Sequence, residues 1–201
     1  MRKLIFDDCI CQVRISNHSK IKDSILSEIE NADIDTSEKS PYLTDRSTGT
    51  TQYDSFSKLD WSMGEDFERP WVKLFLPSYS EALIEIMKNL GYTGYITHAM
   101  WFQQYLEGGT HGWHIHSNHF TGVYYLEYPE GCGRTRICSP YNLKGHEVDA
   151  VEGDMIVFPS HWIHKAMPNS KDRKTIISYN FDANADHVNT YILEKAGNPI
   201  T

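Results

Sequence analysis

The sequence predicts a mainly β (α+β) protein whose helices are confined to its first half. Two observations carry this. Before Gly94 only two stretches show helical spacing. After it the chain breaks into about seven short segments, mostly rich in β-branched and aromatic residues and punctuated by Gly, Pro, Asn and Asp. A run of short strands with polar turns points to a sandwich or barrel, with the early helices packed outside one sheet.

The elements follow in chain order. "LIFDDCICQVRI" (4–15) reads as an opening strand. "KIKDSILSEIEN" (20–31) places Ile21, Ile25 and Ile29 four apart, which is helical spacing. Residues 33–69 are polar and irregular, long for a loop, and read as a functional flap over substrate or a partly disordered segment. Its aromatics Tyr42, Tyr53, Phe56, Trp61 and Phe67 suit a lid or core plugs. "SYSEALIEIMKNLGY" (78–92) is the clearest helix, with Ser78 or Ser80 to cap its start and Gly91 to stop it. The strand segments are "YITHAMWFQQYL", "HGWHIHSN", "FTGVYYLEY", "RTRICSP", "DMIVFPS", "HWIHKAM" and "RKTIISYNFD".

Bulk properties narrow the function. The 201 residues, 40% of them hydrophobic, suit one domain with a sizeable core. A net charge of −8 argues against nucleic acid, which needs a basic footprint. No apolar run approaches the ~18 residues of a membrane helix. Two aspartates interrupt the N-terminal stretch where a signal peptide would be apolar, so a cytoplasmic location is expected. Cys9, Cys11, Cys132 and Cys138 are too few for a disulfide scaffold, and Cys9 and Cys11 read as reduced thiols on one strand.

Four of the ten histidines fall in "THGWHIHSNH": His111, His114, His116 and His119. If "WHIH" is a strand, His114 and His116 project to one face, and Trp113 and Ile115 to the other. Two imidazoles so placed can grip one metal ion. A third ligand can come from His161 or His164 in "FPSHWIH". Imidazole suits iron, zinc, copper or nickel alike. The alternatives are ordinary strand histidines, or a structural zinc site within the tract, although no cysteine lies near to complete the usual sets.

Taken together, "QYLEGGTHGWHIH", "TGVYYLEY", "EGDMIVFPSHWIH" and "HKAMPNSKDRKTIISYNFD" resemble the Fe(II)- and 2-oxoglutarate-dependent dioxygenases, especially the prolyl 4-hydroxylase-like branch. The resemblance covers residues 95–182. It implies a double-stranded β-helix, a jelly-roll or cupin-like core at about 94–182 with residues 1–93 packed on it, in one domain spanning 1–201. It implies Fe(II) held by His114, His116 and His164, with 2-oxoglutarate, O2 and a peptide or small-molecule substrate. It implies a hydroxylase coupling 2-oxoglutarate decarboxylation to oxidation of peptidyl proline or an amino acid. Arg173, nine residues after His164, is the expected anchor for the far carboxylate of 2-oxoglutarate, with Lys174 as fallback. Alternation puts Arg173, Thr175, Ile177 and Tyr179 on one face and Lys174 on the other. Tyr105 and Tyr125, or Tyr124 in its place, are the expected cosubstrate-binding tyrosines.

One position departs from the family pattern. The carboxylate ligand is replaced by His116, and no Asp or Glu lies between Glu107 and Glu127. Three readings follow: an all-histidine triad, a vacant position as in the halogenase branch, or loss of oxygenase activity. The first is favoured because imidazole still ligates iron. Two rival functions stand beside the oxygenase. A cupin-like metalloprotein has no use for a 2-oxoglutarate anchor, and an inactive jelly-roll binding module releases no succinate.

Overall fold

The computed structural model describes residues 10–34, 56–141 and 143–184. In chain order the elements are β1 (Cys11–Arg14), α1 (His18–Asn31), β2 (Lys58–Leu59), a 3-10 turn (Trp61–Met63), α2 (Pro70–Leu90), β3 (Tyr95–Tyr105), β4 (His111–His114), β5 (Phe120–Glu127), β6 (Thr135–Cys138), β7 (Gly145–Glu147), β8 (Asp154–Pro159), β9 (Ile163–Ala166) and β10 (Lys174–Ala183). They build two antiparallel sheets. One has six strands in the order β1-β8-β5-β10-β3-β2, and the other four in the order β4-β9-β6-β7.

The strand period divides the interior into two cores. Between the larger sheet and the helices lie Trp71, Phe75, Tyr79 and Leu83 of α2, packed on Phe102, Tyr124, Ile177 and Tyr179. Phe75 stacks on Tyr124 with ring centres 4.6 Å apart. A second apolar cluster gathers side chains of both sheets, including Tyr105 and Tyr125 from the larger and Ile137 and Ala166 from the smaller. Neighbours Tyr124 and Tyr125 therefore serve different cores, as alternation along a strand requires. Burying each such large side chain contributes ~1.5–3 kcal/mol.

The second helix begins eight residues earlier than the sequence suggests. Pro70 opens it, where a missing N–H costs nothing, and Ser78 lies mid-helix, buried and bonded to Asn17 Oδ1 at 3.0 Å. Neither Ser78 nor Ser80 caps the helix. Pro77 reads as a breaker in sequence, yet the apolar stripe of Trp71, Val72 and Phe75 packs the turns that precede it. The end is as expected. Gly91 adopts a left-handed φ of 82°, and the Tyr92 N–H reaches back to Met87 O at 2.9 Å.

Within the stretch 33–69, residues 56–69 are more regular than their composition suggests. Lys58 and Leu59 add an edge strand to β3, and the 3-10 turn follows. Asp60, between them, is buried. Its carboxylate accepts hydrogen bonds from the Arg69 guanidinium, from Trp71 Nε1 at 2.9 Å and from the Phe102 N–H at 2.7 Å. Tyr42, Tyr53 and Cys9 lie outside the described residues. No helix among those described is long and apolar enough to cross a membrane.

Candidate metal and cosubstrate site

The smaller sheet presents the histidines. β4 pairs with β9 so that His114 stands opposite His164. The strand itself ends at His114, but the His116 N–H continues the contact by bonding Ser160 O at 2.9 Å. The chain keeps its alternation there. Trp113 and Ile115 are exposed, while His114 and His116 turn inward. One ligand atom from each of His114, His116 and His164 lies within 4.8 Å of the others. Modest side-chain rotation brings all three onto one ion, since imidazole-to-metal bonds are ~2.0–2.1 Å for zinc.

Backbone carbonyls orient two of the rings. His114 Nδ1 lies 2.7 Å from Gly112 O, and His164 Nδ1 lies 2.9 Å from Trp162 O. Each Nδ1–H donates there, which leaves Nε2 with its lone pair. Burial depresses the basicity of His111, His114 and His164, and it lowers His116 to about 3, with the neighbouring His114 adding to the effect. The rings are therefore neutral near pH 7, the form that ligates metals. No carboxylate joins this group among the described residues.

Of the other three histidines in these two motifs, His111 touches the triad and His119 and His161 stand apart from it. His111 stacks on His114 with ring centres 3.8 Å apart and lines the same cavity. His119 is exposed, and its backbone N–H bonds Asp182 Oδ1 at 2.8 Å. His161 lies 3.3 Å from the Tyr141 hydroxyl at the surface.

Strand phase separates the two candidate carboxylate anchors, Arg173 and Lys174. Arg173 points away from the cavity. Its Nε and Nη2 bond Glu127 at 2.7 and 3.1 Å, and its Nη1 bonds Glu30 of α1. It fastens α1 to β5. Lys174 takes the inward face with Ile176 and Ser178, which line the cavity. It is only 1% exposed. Its Nζ donates to Gly133 O at 2.8 Å and lies 4.4 Å from the centre of the Tyr105 ring. Burial pulls this lysine down to about 8.

Tyr105 lines the cavity, and its hydroxyl donates to Gln103 Oε1 at 2.9 Å. Gln103 Nε2 in turn lies 3.5 Å from His111 Nδ1. Tyr125 is buried beside this region, donating to Thr135 Oγ1 at 2.8 Å, whereas Tyr124 belongs to the helix core. Gln103 and Asn180 escaped the sequence reading, which named His111 only as a member of the histidine tract. The inward parity of Trp101, Gln103 and Tyr105 on β3 was the available signal for the first.

Residues 99–182 match the family model described as "Putative 2OG-Fe(II) oxygenase". That stretch, which carries the three histidines and Lys174, is similar to this family. The family uses Fe(II), 2-oxoglutarate and O2, and the histidine group supplies a place for the iron. No curated protein sequence matches the chain. Among solved structures, the fold of this chain is shared by a Pseudomonas putida prolyl-4-hydroxylase, at 16% identity over 88% of this chain and 94% of that one, with a TM-score of 0.59. It is shared by a viral collagen prolyl hydroxylase from Paramecium Bursaria Chlorella virus-1 solved as its 2OG complex, at 13% identity, 87% and 96% coverage and a TM-score of 0.57. A Trichoplax adhaerens prolyl hydroxylase, in complex with a hypoxia inducible factor oxygen degradation domain peptide fragment, aligns at 21% identity, 86% and 83% coverage and a TM-score of 0.58.

Proposed function

We propose that this oxygenase hydroxylates a residue carried on a peptide, holding iron by His114, His116 and His164 and the far carboxylate of 2-oxoglutarate by Lys174. The two sheets are read as the double-stranded β-helix of the family, in one domain. One observation carries the proposal. A neutral imidazole cluster lines the cavity, and a buried lysine with no carboxylate partner among the described residues lies against Tyr105, a wall of the same cavity.

Iron, 2-oxoglutarate and O2 together supply the oxidising power that inserts oxygen into a C–H bond as 2-oxoglutarate loses CO2 to become succinate. The chain's own residues bind and orient. The three imidazoles offer neutral lone pairs, so bound Fe(II) keeps its full positive charge. Lys174 supplies the cation for a carboxylate, and Tyr105 lies over its ammonium and faces the cavity. A peptide substrate is supported by exposed Trp113 and Ile115, which alternate in sequence with the inward histidines, and by the peptide bound to the Trichoplax relative.

The test is uncoupled turnover. Protein loaded with Fe(II) is expected to convert 2-oxoglutarate to succinate slowly, and faster with a prolyl peptide library fraction. Absence of iron-dependent succinate in both conditions overturns the reading. It would favour the cupin-like or binding-module alternatives instead.

A further inference from the structure

His116 differs from its two partners in what meets its Nδ1. His114 and His164 each face a backbone carbonyl, which can accept a hydrogen bond but cannot donate one. His116 faces the side-chain amide of Asn180 on β10, with Asn180 Nδ2 3.3 Å from His116 Nδ1. The amide's other end, Asn180 Oδ1, is buried and meets no hydrogen-bond donor among the described residues.

The proton positions follow from these contacts. His116 Nε2 lies 3.2 Å from His164 Nε2. His164 carries its proton on Nδ1, toward Trp162 O, so its Nε2 is the acceptor. His116 Nε2 therefore holds the proton between the two rings, and its Nδ1 accepts from the Asn180 N–H. That arrangement is consistent in itself, but it leaves His116 in the tautomer that cannot ligate through Nε2.

Resting on the assignment of the triad as the iron site, we propose that Asn180 is a positioning residue that switches His116 between two tautomers. Rotating the amide by half a turn exchanges its N–H for its C=O. Oδ1 then accepts a hydrogen bond from His116 Nδ1–H, and Nε2 is left with its lone pair toward the metal. No proton is gained or lost overall. One leaves Nε2 to solvent and one arrives at Nδ1. The unpartnered Oδ1 is the acceptor held in reserve for this state. An amide suits the role because it can satisfy either tautomer, which a backbone carbonyl cannot. In this reading Asn180 is what lets an imidazole serve at a position where the family pattern has a carboxylate.

The experiment uses Zn(II), a closed-shell probe, on the full chain. Nitrogen-15 NMR of the imidazoles is expected to show His116 as Nε2–H in metal-free protein and Nδ1–H once Zn(II) is bound. His114 and His164 should remain Nδ1–H in both states. Zn(II) affinity by competition with a chelator is expected to fall ~10–100-fold in Asn180→Leu. Asn180→Asp, which can still accept from Nδ1–H, is expected to restore it. Wild-type affinity in Asn180→Leu, or His116 protonated on Nε2 in the Zn(II) form, overturns the proposal. His164→Ala separates this from the parent reading. If His164→Ala binds Zn(II) as well as wild type, the triad itself is wrong. If only the Asn180 variants behave as wild type, the triad stands and the switch does not.

Discussion

Lys174 and Tyr105 form a buried cation–π pair, the ammonium 4.4 Å from the ring centre, with a single carbonyl as further hydrogen-bond partner among the described residues. A buried cation held so loosely is poised to take an anion. Lys174→Ala is expected to weaken 2-oxoglutarate binding by ~2–5 kcal/mol, the usual cost of removing one member of a buried charge pair. That is a rise in Kd of ~30-fold or more. Titration of iron-loaded protein with 2-oxoglutarate measures it. Lys174→Met, which keeps the apolar volume, is expected to lose as much affinity with less effect on folding. Arg173→Ala should leave the Kd unchanged and cost ~0–1 kcal/mol of stability, as partly exposed pairs do. An effect on 2-oxoglutarate confined to Arg173→Ala would return the anchor to the arginine.

The same lysine predicts a pH dependence. With Lys174 lowered to about 8 by burial, the free protein holds a charged ammonium below that pH and a neutral amine above it. A bound carboxylate favours the ammonium and raises its pKa in the complex. Affinity for 2-oxoglutarate is therefore expected to be flat below about pH 8 and to fall up to ~tenfold per unit above it. The stability of the ligand-free protein should move the other way. The unfolded lysine, near its ordinary 10.5, binds more protons than the folded one between about pH 8 and 10.5, so this group's contribution rises with pH across that window. Calorimetric titration at several pH values tests the first claim, and an affinity that stays level to pH 10 would contradict it.

Among the histidines, His114→Ala and His164→Ala are expected to abolish stoichiometric Fe(II) retention after anaerobic desalting. His116→Asp should retain iron, because it restores the family's usual ligand type. His119→Ala and His161→Ala should retain it fully, since both side chains sit at the surface with partners of their own. Full iron in His164→Ala, or its loss in His119→Ala, would break the assignment.

Gly122 on β5 has no room for a methyl group. A Cβ there would lie 2.3 Å from both Ile156 O and the Tyr179 hydroxyl, two groups already bonded to each other at 2.8 Å. Gly122→Ala is expected to cost ~1–3 kcal/mol. In a chain of this size each kcal/mol lowers Tm by ~2–4 °C. Tyr179 Cζ would lie 2.5 Å away as well, and Tyr179→Phe removes one of these three clashing atoms, so the double variant should lose less than the sum of the singles. Strict additivity of the two Tm shifts would locate the strain elsewhere.

How much of this could be read from the chain depends on which signals are local. Every strand segment after Gly94 appears, because β-branched runs between turn residues are a short-range pattern. β7 escaped notice, since three residues of mixed polarity in "GHE" carry no period. The pairing of His114 with His116 was legible from strand alternation. Alternation also split Arg173 from Lys174 correctly, yet it could not say which face was inside. That is decided by helices stacked on the opposite side of β10, through contacts such as Tyr79 with Tyr179. The start of α2 was misplaced for a related reason. Pro77 is a local warning, and the packing of Trp71 and Phe75 that overrides it is not local.

Asp60 ties together parts that otherwise look independent. Its carboxylate holds the Arg69 guanidinium and Trp71 indole at the start of α2, and the Phe102 amide in the middle of β3. The neighbours of Phe102 on that strand, Trp101 and Gln103, are walls of the cavity. Fraying the first turn of α2 would leave a buried anion and a buried cation without each other, which is prohibitive compared with fraying an ordinary helix end. The helix start and the cavity wall should therefore open as one cooperative unit, protected from amide exchange to the same degree. A ligand that tightens the cavity would then register at the far end of the helix layer, and the chain has little freedom to vary α2 without retuning the chemistry behind it.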